Sequence, residues 1–478
     1  MTLRTRVASQ RGLIGSAVVC GIGWVLWLAS DAAWPIVLPM LAMLAVAGVA
    51  IVALWDRQTG APPVLEIGAV YVAVVSLYML YPLLGFLVNG LRYTPLNDNR
   101  LFAAQPSPVE IGGLAWYYVA HLASFVAVYV LVRGPQTGVV VRALHVSRRT
   151  LLAVVFLYVT VVAFFFFLGL SFDLTARTYA ESYLVAKRLP LMLAQLSNHL
   201  SGIQFTLELV LLAALFANYR RYRLLIAGWL VVLGVSTFVQ LGSRSGLILL
   251  LLAAALMYHG TVRPLPLGMV AVAGVATLAV FVVLGYLRSG FRQSPDAVGG
   301  YLIFGAGEFE NILANAYDLK RLQAIGAVGD LPLAFHLADL LVIPQQLLPF
   351  AKVEPATWYV STLYPEYAAA GGGYVFGTIA QAILGGGWID VMARGAVLGL
   401  LLGLVHRYCM RRPSSLWAFV FYVWATVLVY NSFRNTTFFL LLLFLYRFLP
   451  VMLAVKVLSA LWAKLPRAPG RSLSRTSA

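Results

Sequence analysis

The sequence predicts an all-α, polytopic integral membrane protein with about twelve transmembrane helices. Three observations predict it. Hydrophobic residues make up 61% of the 478 and charged residues only 11%, where a soluble domain carries about a quarter charged residues. Apolar runs of roughly 20 residues recur along the whole chain, each long enough to cross about 30 Å of hydrocarbon as a helix. Basic residues collect in alternate connections between those runs, as the positive-inside rule expects.

The runs, in order, are residues 13–30, 35–55, 64–90, 109–132, 150–171, 200–217, 224–241, 246–259, 267–286, 389–408, 416–431 and 436–456. The basic start (Arg4, Arg6, Arg11) has no small-residue cleavage site after its apolar run, so it reads as the inner flank of a retained span. With the N-terminus inside, the cytoplasmic segments carry Arg57, Arg133, Arg142, Arg148, Arg149, Arg220, Arg221, Arg223, Arg263, Arg407, Arg411 and Arg412. A basic tail over 457–478 follows the last span. Such an inner face suits an anionic leaflet, so the net charge of +17 needs no nucleic acid to explain it. The whole chain, 1–478, reads as one membrane domain. Cys20 and Cys409 give neither a disulfide framework nor metal spacing. HExxH, CxxC and P-loop patterns are absent from the sequence, so neither a catalytic metal nor a cofactor is expected.

The outer connections are longer. Residues 91–108 and 172–199 form polar loops, and 287–388 forms the largest; an ordered connection of that length is usually functional. Within it, Phe309, Ile312, Leu313, Ala316, Leu319 and Leu322 recur at steps of three and four, an amphipathic helix with Glu308, Asn311, Asn315, Asp318 and Arg321 on other faces. "LPLAFHLADLLVIPQQLLPF" reads as a second, more apolar helix that ends at Pro344.

Candidate chemistry gathers on this outer side. Arg244 lies in the Gly-Ser-Arg-Ser-Gly turn between spans seven and eight. Arg288 and Arg292 open the large loop, and Arg434 lies in the turn between spans eleven and twelve. Arginine suits a diphosphate because its planar fork donates two parallel charge-assisted hydrogen bonds. The plain alternative is a side chain that snorkels to lipid head groups. For Arg394 and Arg447, inside or near spans, pairing between helices is expected. Glu308, Glu310 and His336, the last three residues before Asp339, are candidate bases. Tyr179, Tyr364 and Tyr374 are candidate platforms for sugar rings, although tyrosine is common at any membrane interface.

The arrangement resembles the bacterial oligosaccharide repeat-unit polymerases (O-antigen polymerases, Wzy-type). These have about a dozen spans, a dominant outer loop in the second half and a G-S-R-[ST] turn, matched here by Gly242-Ser243-Arg244-Ser245. Residues 374–387, "YVFGTIAQAILGGG", resemble the family's Gly-containing segment before the next span, with Gln381 near the place where the family often has a glutamate. Arg288 to Gly299 fits an Arg-x10-Gly spacing. The resemblance implies a GT-C-like glycosyltransferase fold in the inner membrane, with its site on the periplasmic face. It implies undecaprenyl-diphosphate-linked oligosaccharide as donor and acceptor, no metal, and partnership with a chain-length regulator and a flippase. An O-antigen ligase shares that arginine logic and would turn on an outer-loop histidine such as His336. A flippase would line a cavity with charge through the membrane, where mid-span charge here is confined to Glu208 and Arg447.

Overall fold

The computed structural model describes residues 20, 22–23, 26, 31–55, 65–91, 105–134, 143–172, 189–239, 244–288, 307–328, 342–343, 347–350, 354–369 and 373–464. The described residues form helices and connections, with no strand among them. Seven helical segments are long and apolar enough to cross a membrane: Asp31–Leu54, Ile67–Val88, Pro108–Arg133, Arg148–Phe172, Met192–Phe216, Trp388–Met410 and Phe439–Lys464. Shorter apolar stretches cover Ile248–Thr261, Gly268–Thr277 and Leu416–Leu428. The chain is therefore a helical membrane protein, as its composition predicts. The first expected span, 13–30, falls almost wholly outside the described residues.

A four-helix core comes from α1 (Trp34–Leu54), α2 (Ile67–Val88), α3 (Pro108–Arg133) and, far along the chain, α13 (Trp388–Met410). The start of α3 is set locally. Ser107 caps it, accepting from the Glu110 N–H while the Glu110 carboxylate accepts from the Ser107 N–H, and Pro108 fits the first turn. α3 and α13 pack along most of their length because Gly395, Gly399 and Gly403 line the contact. A Cβ at Gly395 would meet His121 O at 2.3 Å, and one at Gly399 would meet Phe125 O at 2.5 Å. Small residues four apart let two membrane helices bring their backbones together.

One end of this core is pinned by a buried charge. Arg133 Nη1 donates to both Glu66 oxygens, at 2.8 and 2.9 Å, and Nη2 donates to Ala53 O at 2.9 Å. Tyr129 donates to Glu66 at 2.8 Å, and the Ile67 N–H donates to Tyr422 Oη. The end of α1, the start of α2 and the end of α3 therefore meet at one level. With Pro35 O against Gly112 at their other ends, α1 and α3 run in the same direction and α2 runs against them. This is the alternation that the sequence predicts.

The second group of helices is α4 (Arg148–Phe172), α5 (Leu191–Phe216), α6 (Tyr219–Val239), α7 (Arg244–Thr261) and α8 (Leu267–Arg288). Two expectations change here. α5 begins at Leu191, so the end of the expected loop 172–199 is helix. Its apolar "LMLAQL" continues the span, and Pro190 supplies the preceding turn. The Gly-Ser-Arg-Ser-Gly stretch is not all turn, since α7 starts at Arg244 itself.

The long connection 287–388 contributes α9 (Gly307–Ala324), α10 (Pro355–Leu363), α11 (Pro365–Ala369) and α12 (Thr378–Leu384). After α13 come α14 (Leu416–Leu428), a single turn α15 (Asn431–Arg434), α16 (Phe439–Leu443), a π-helical turn (Phe444–Phe448) and α17 (Leu449–Lys464).

Candidate functional site

α14 ends early. Its 13 residues reach about 20 Å, short of a hydrocarbon core of about 30 Å. The turn that follows folds among the helices instead of emerging at the membrane edge. Phe433 of α15 packs against Tyr71 and Tyr78 of α2 and against Tyr118 and His121 of α3. Those residues belong to the body of their helices, not the ends. This corrects the expectation that Arg434 sits in an outer-edge turn: it follows Phe433 into the interior.

Tyr78 is the meeting point. Its ring contacts Phe433 at 5.5 Å and Phe309 of α9 at 5.0 Å. Phe309 lies between Glu308 and Glu310 in the first turn of α9. The acid-bearing turn of α9 and the arginine-bearing turn α15 are thus one tyrosine ring apart. Helix direction brings the other arginines toward the same end. Gly260, near the end of α7, packs on Phe419, near the start of α14, so α7 runs against α14. Arg244 begins α7, on the side toward which α14 carries Arg434. α8 starts again beside the end of α7 and finishes at Arg288. Arg292, His336 and Tyr179 lie outside the described residues.

A buried polar cluster adjoins this junction. Arg394 Nε donates to Asp390 at 2.9 Å, and Nη1 donates to Gln381 Oε1 at 3.0 Å and to Thr437 at 3.3 Å. Thr378 of α12 donates to Ser432 O of α15 at 2.8 Å. Arg394 is thus paired within its own helix and bonded to α12 and to the turn after α15, as expected for a residue inside a span. Gln381 is fully buried, with its oxygen held by Arg394.

α9 is buried more completely than its amphipathic pattern suggests. Residues 312–319 are all buried, including Asn315 and Asp318, which the pattern puts on other faces. The segment after α9 covers that polar side. Asn315 donates to Val375 O, and the Tyr359 and Tyr364 hydroxyls both donate to Asp318 Oδ2 at 2.5 Å. Gly377, at φ +87°, closes this cover against Ile312: a Cβ there would meet the Ile312 side chain at 2.6 Å. Burial raises the Tyr317 phenol above its ordinary range, and the nearby Glu110 carboxylate adds to it.

Of the expected sugar platforms, Tyr364 therefore holds Asp318, and Tyr374 is 5% exposed and stacked on Tyr367 at 4.8 Å. Tyr364 thus bonds to α9, and Tyr374 packs on Tyr359, Tyr364 and Tyr367 in its cover. Among the described residues, no group of three or more His, Cys, Asp or Glu is arranged to hold a metal. Sequence reasoning passed over Tyr78, the partners of Arg394, and the role of Asp318. The repeated Gly-x-x-x-Gly of α13, which brings α3 and α13 together, was the available signal for the arrangement around Arg394.

Compared with protein-family models, with curated proteins and with solved structures, the chain matches none.

Proposed function

We propose that the protein polymerises lipid-linked oligosaccharide repeat units. In this reading it has twelve spans in a GT-C-like arrangement in a bacterial inner membrane. It transfers the growing glycan from undecaprenyl diphosphate to the non-reducing end of a new undecaprenyl-diphosphate-linked unit on the periplasmic side, without a metal. The observation that carries the reading is the junction at Tyr78, where the turns bearing Glu308 and Glu310 and bearing Arg434 adjoin. Transfer from a lipid diphosphate needs positive charge on the leaving group, and preorganised charge is commonly the largest contribution to such a step. It also needs an acceptor for the proton of the attacking hydroxyl, within reach of that charge. Arg434, with Arg244 and Arg288, serves the first need, and a carboxylate of α9 serves the second.

The test is the glycan ladder on a gel. Deletion of the gene leaves single-repeat glycan on its acceptor and abolishes the ladder. Arg434→Ala lowers the polymerisation rate about a hundredfold or more, the usual loss for one stabilising donor, while the protein still inserts. Glu308→Gln and Glu310→Gln tell which carboxylate acts. Full ladders from Arg244→Ala, Arg288→Ala and Arg434→Ala alike would rule the reading out. Loss of all glycan on deletion would point to a ligase or a flippase.

A further inference from the structure

Six arginines lie in the seven described spans; Arg148, Arg149 and Arg407 are exposed near span ends, and of the three that are not exposed, two are neutralised within the protein. Arg133 is bonded to Glu66 and Arg394 to Asp390. Arg447 is the exception. Among the described residues no carboxylate pairs with it, and its one hydrogen bond, from Nη2, goes to the neutral Asn198 Oδ1 at 3.1 Å. The intramembrane carboxylate on the same neighbouring helix, Glu208, is turned elsewhere, accepting from Gln204 at 2.9 Å and from Tyr158. A cation in a membrane span without a counter-ion is costly. Here it is also held deliberately. Its stem crosses α5 at Gly202, where a Cβ would lie 2.0 Å from Arg447 Cδ and 2.4 Å from Nε. It also sits on the π-helical turn, a distortion that recurs at functional sites.

The surroundings say what the charge is for. Asn198 and His199 are both exposed within the candidate span Met192–Phe216, so the site opens outward from the helices. The His199 ring lies 6.0 Å from Tyr446. Arg447 Nε and Nη1, the Asn198 amide and a His199 ring nitrogen make a set of donors, and Leu196, 44% exposed, adds apolar surface beside it. Arg447 is nine residues into the span that starts at Phe439 and Asn198 seven into the one that starts at Met192, about two turns below the helix ends. Donors around one cation suit an anion with several oxygens, and an outward opening within a candidate span suits one carried on a lipid tail.

We infer that Arg447, Asn198 and His199 form a membrane-facing site for the phosphate head group of a lipid. This site is separate from the junction at Tyr78 and needs only that the chain is embedded in a membrane. Binding is read by native mass spectrometry of the full-length protein in detergent, titrated with undecaprenyl phosphate, phosphatidylglycerol or diacylglycerol. The wild type retains the phosphate-bearing lipids over diacylglycerol, and Arg447→Ala weakens that retention about tenfold. Arg447→Lys keeps part of it. Gly202→Ala weakens it as well, because the new methyl displaces the arginine stem. A preference between the two phosphate lipids names the source, and equal retention assigns the site to lipid phosphate in general. Inorganic phosphate that displaces the lipid at equal concentration would show a site for the free anion and overturn the lipid assignment. So would retention no better than that of diacylglycerol, or unchanged retention in a folded Arg447→Ala. Should Arg447→Ala not fold, Asn198→Ala and His199→Ala, both at exposed positions, carry the same test, with a several-fold loss expected and unchanged retention in both overturning the site. Polymerisation is a separate readout, so this site and the transferase reading fail independently.

Discussion

Arg133 joins three helices through one guanidinium, and the energetics of that arrangement are specific. A buried ion pair adds little net stability, because desolvating two charges offsets most of their attraction. Breaking it is another matter, since the remaining charge is left buried without a partner. The side chains of Arg133 and Glu66 are 7% and 6% exposed, and Tyr129 and two carbonyls of α1 complete their shell. Arg133→Ala or Glu66→Ala should therefore each cost about 3–5 kcal/mol. The double change Glu66→Leu with Arg133→Met should recover much of that loss. Thermal stability followed by size-exclusion profile in detergent reads the order. Single variants as stable as the wild type would show that the pair is not needed. The sequence shows Arg133 as one more inner-face arginine. Its partner stands 67 positions earlier, and nothing local to either residue announces the pairing.

Helices were legible where local pattern decides them and illegible where tertiary cover does. α3 could be placed from its apolar run, and α9 from its three- and four-residue steps. The burial of Asn315 and Asp318 could not, because periodicity separates apolar from polar faces and not covered from solvated ones. Their cover is supplied by Tyr359, Tyr364 and Val375, well downstream. The depth of Arg434 was hidden for a different reason. Between Leu416 and Leu449 there is no Gly or Pro to punctuate the run, so α14 reads as longer than its 13 residues. The cluster Asn431, Ser432, Asn435, Thr436 and Thr437 was the remaining sign of an interior turn. The glycines of α13 yield a sharper expectation at this scale. At Gly399 a Cβ meets backbone atoms, Phe125 O at 2.5 Å and Tyr129 N at 3.1 Å, so α3 and α13 must move apart to admit it. Gly399→Ala should lose about 1–3 kcal/mol. Gly228→Ala on α6, with nothing within 4 Å, should be neutral or gain up to about 1 kcal/mol from helix propensity. Equal melting temperatures for the two variants would mean that the close approach of α3 and α13 contributes nothing.

At the scale of the whole molecule, the described residues divide into a core held at both ends and a second half filled by segments too short or too charged to cross. α9, α12 and α15 lie among the helices, and non-helical backbone at membrane depth is tolerated only where protein covers it or it lines a cavity. Two of their buried polar side chains are met inside the protein, Thr378 by Ser432 O and Asn315 by Val375 O. Arg407, Arg411 and Arg412 lie at the end of α13 that carries the Arg133–Glu66 pair, the end that the positive-inside rule expects on the cytoplasmic side. α12 has seven residues and extends about 10 Å, too little to cross, whereas α13 has 23 and extends about 34 Å. A single crossing therefore separates Glu366 on α11 from Arg412 beyond α13, and both positions are exposed. With Cys20 replaced by Ser and Cys409 by Ala, Glu366→Cys should react with a membrane-impermeant maleimide in intact spheroplasts. Arg412→Cys should react only after permeabilisation. Labelling of both from the same side would show that α12 and α13 together make a re-entrant pair, and labelling of Arg412→Cys alone would invert the orientation. Either result would take Arg434 and the first turn of α9 off the face that the proposed transfer requires.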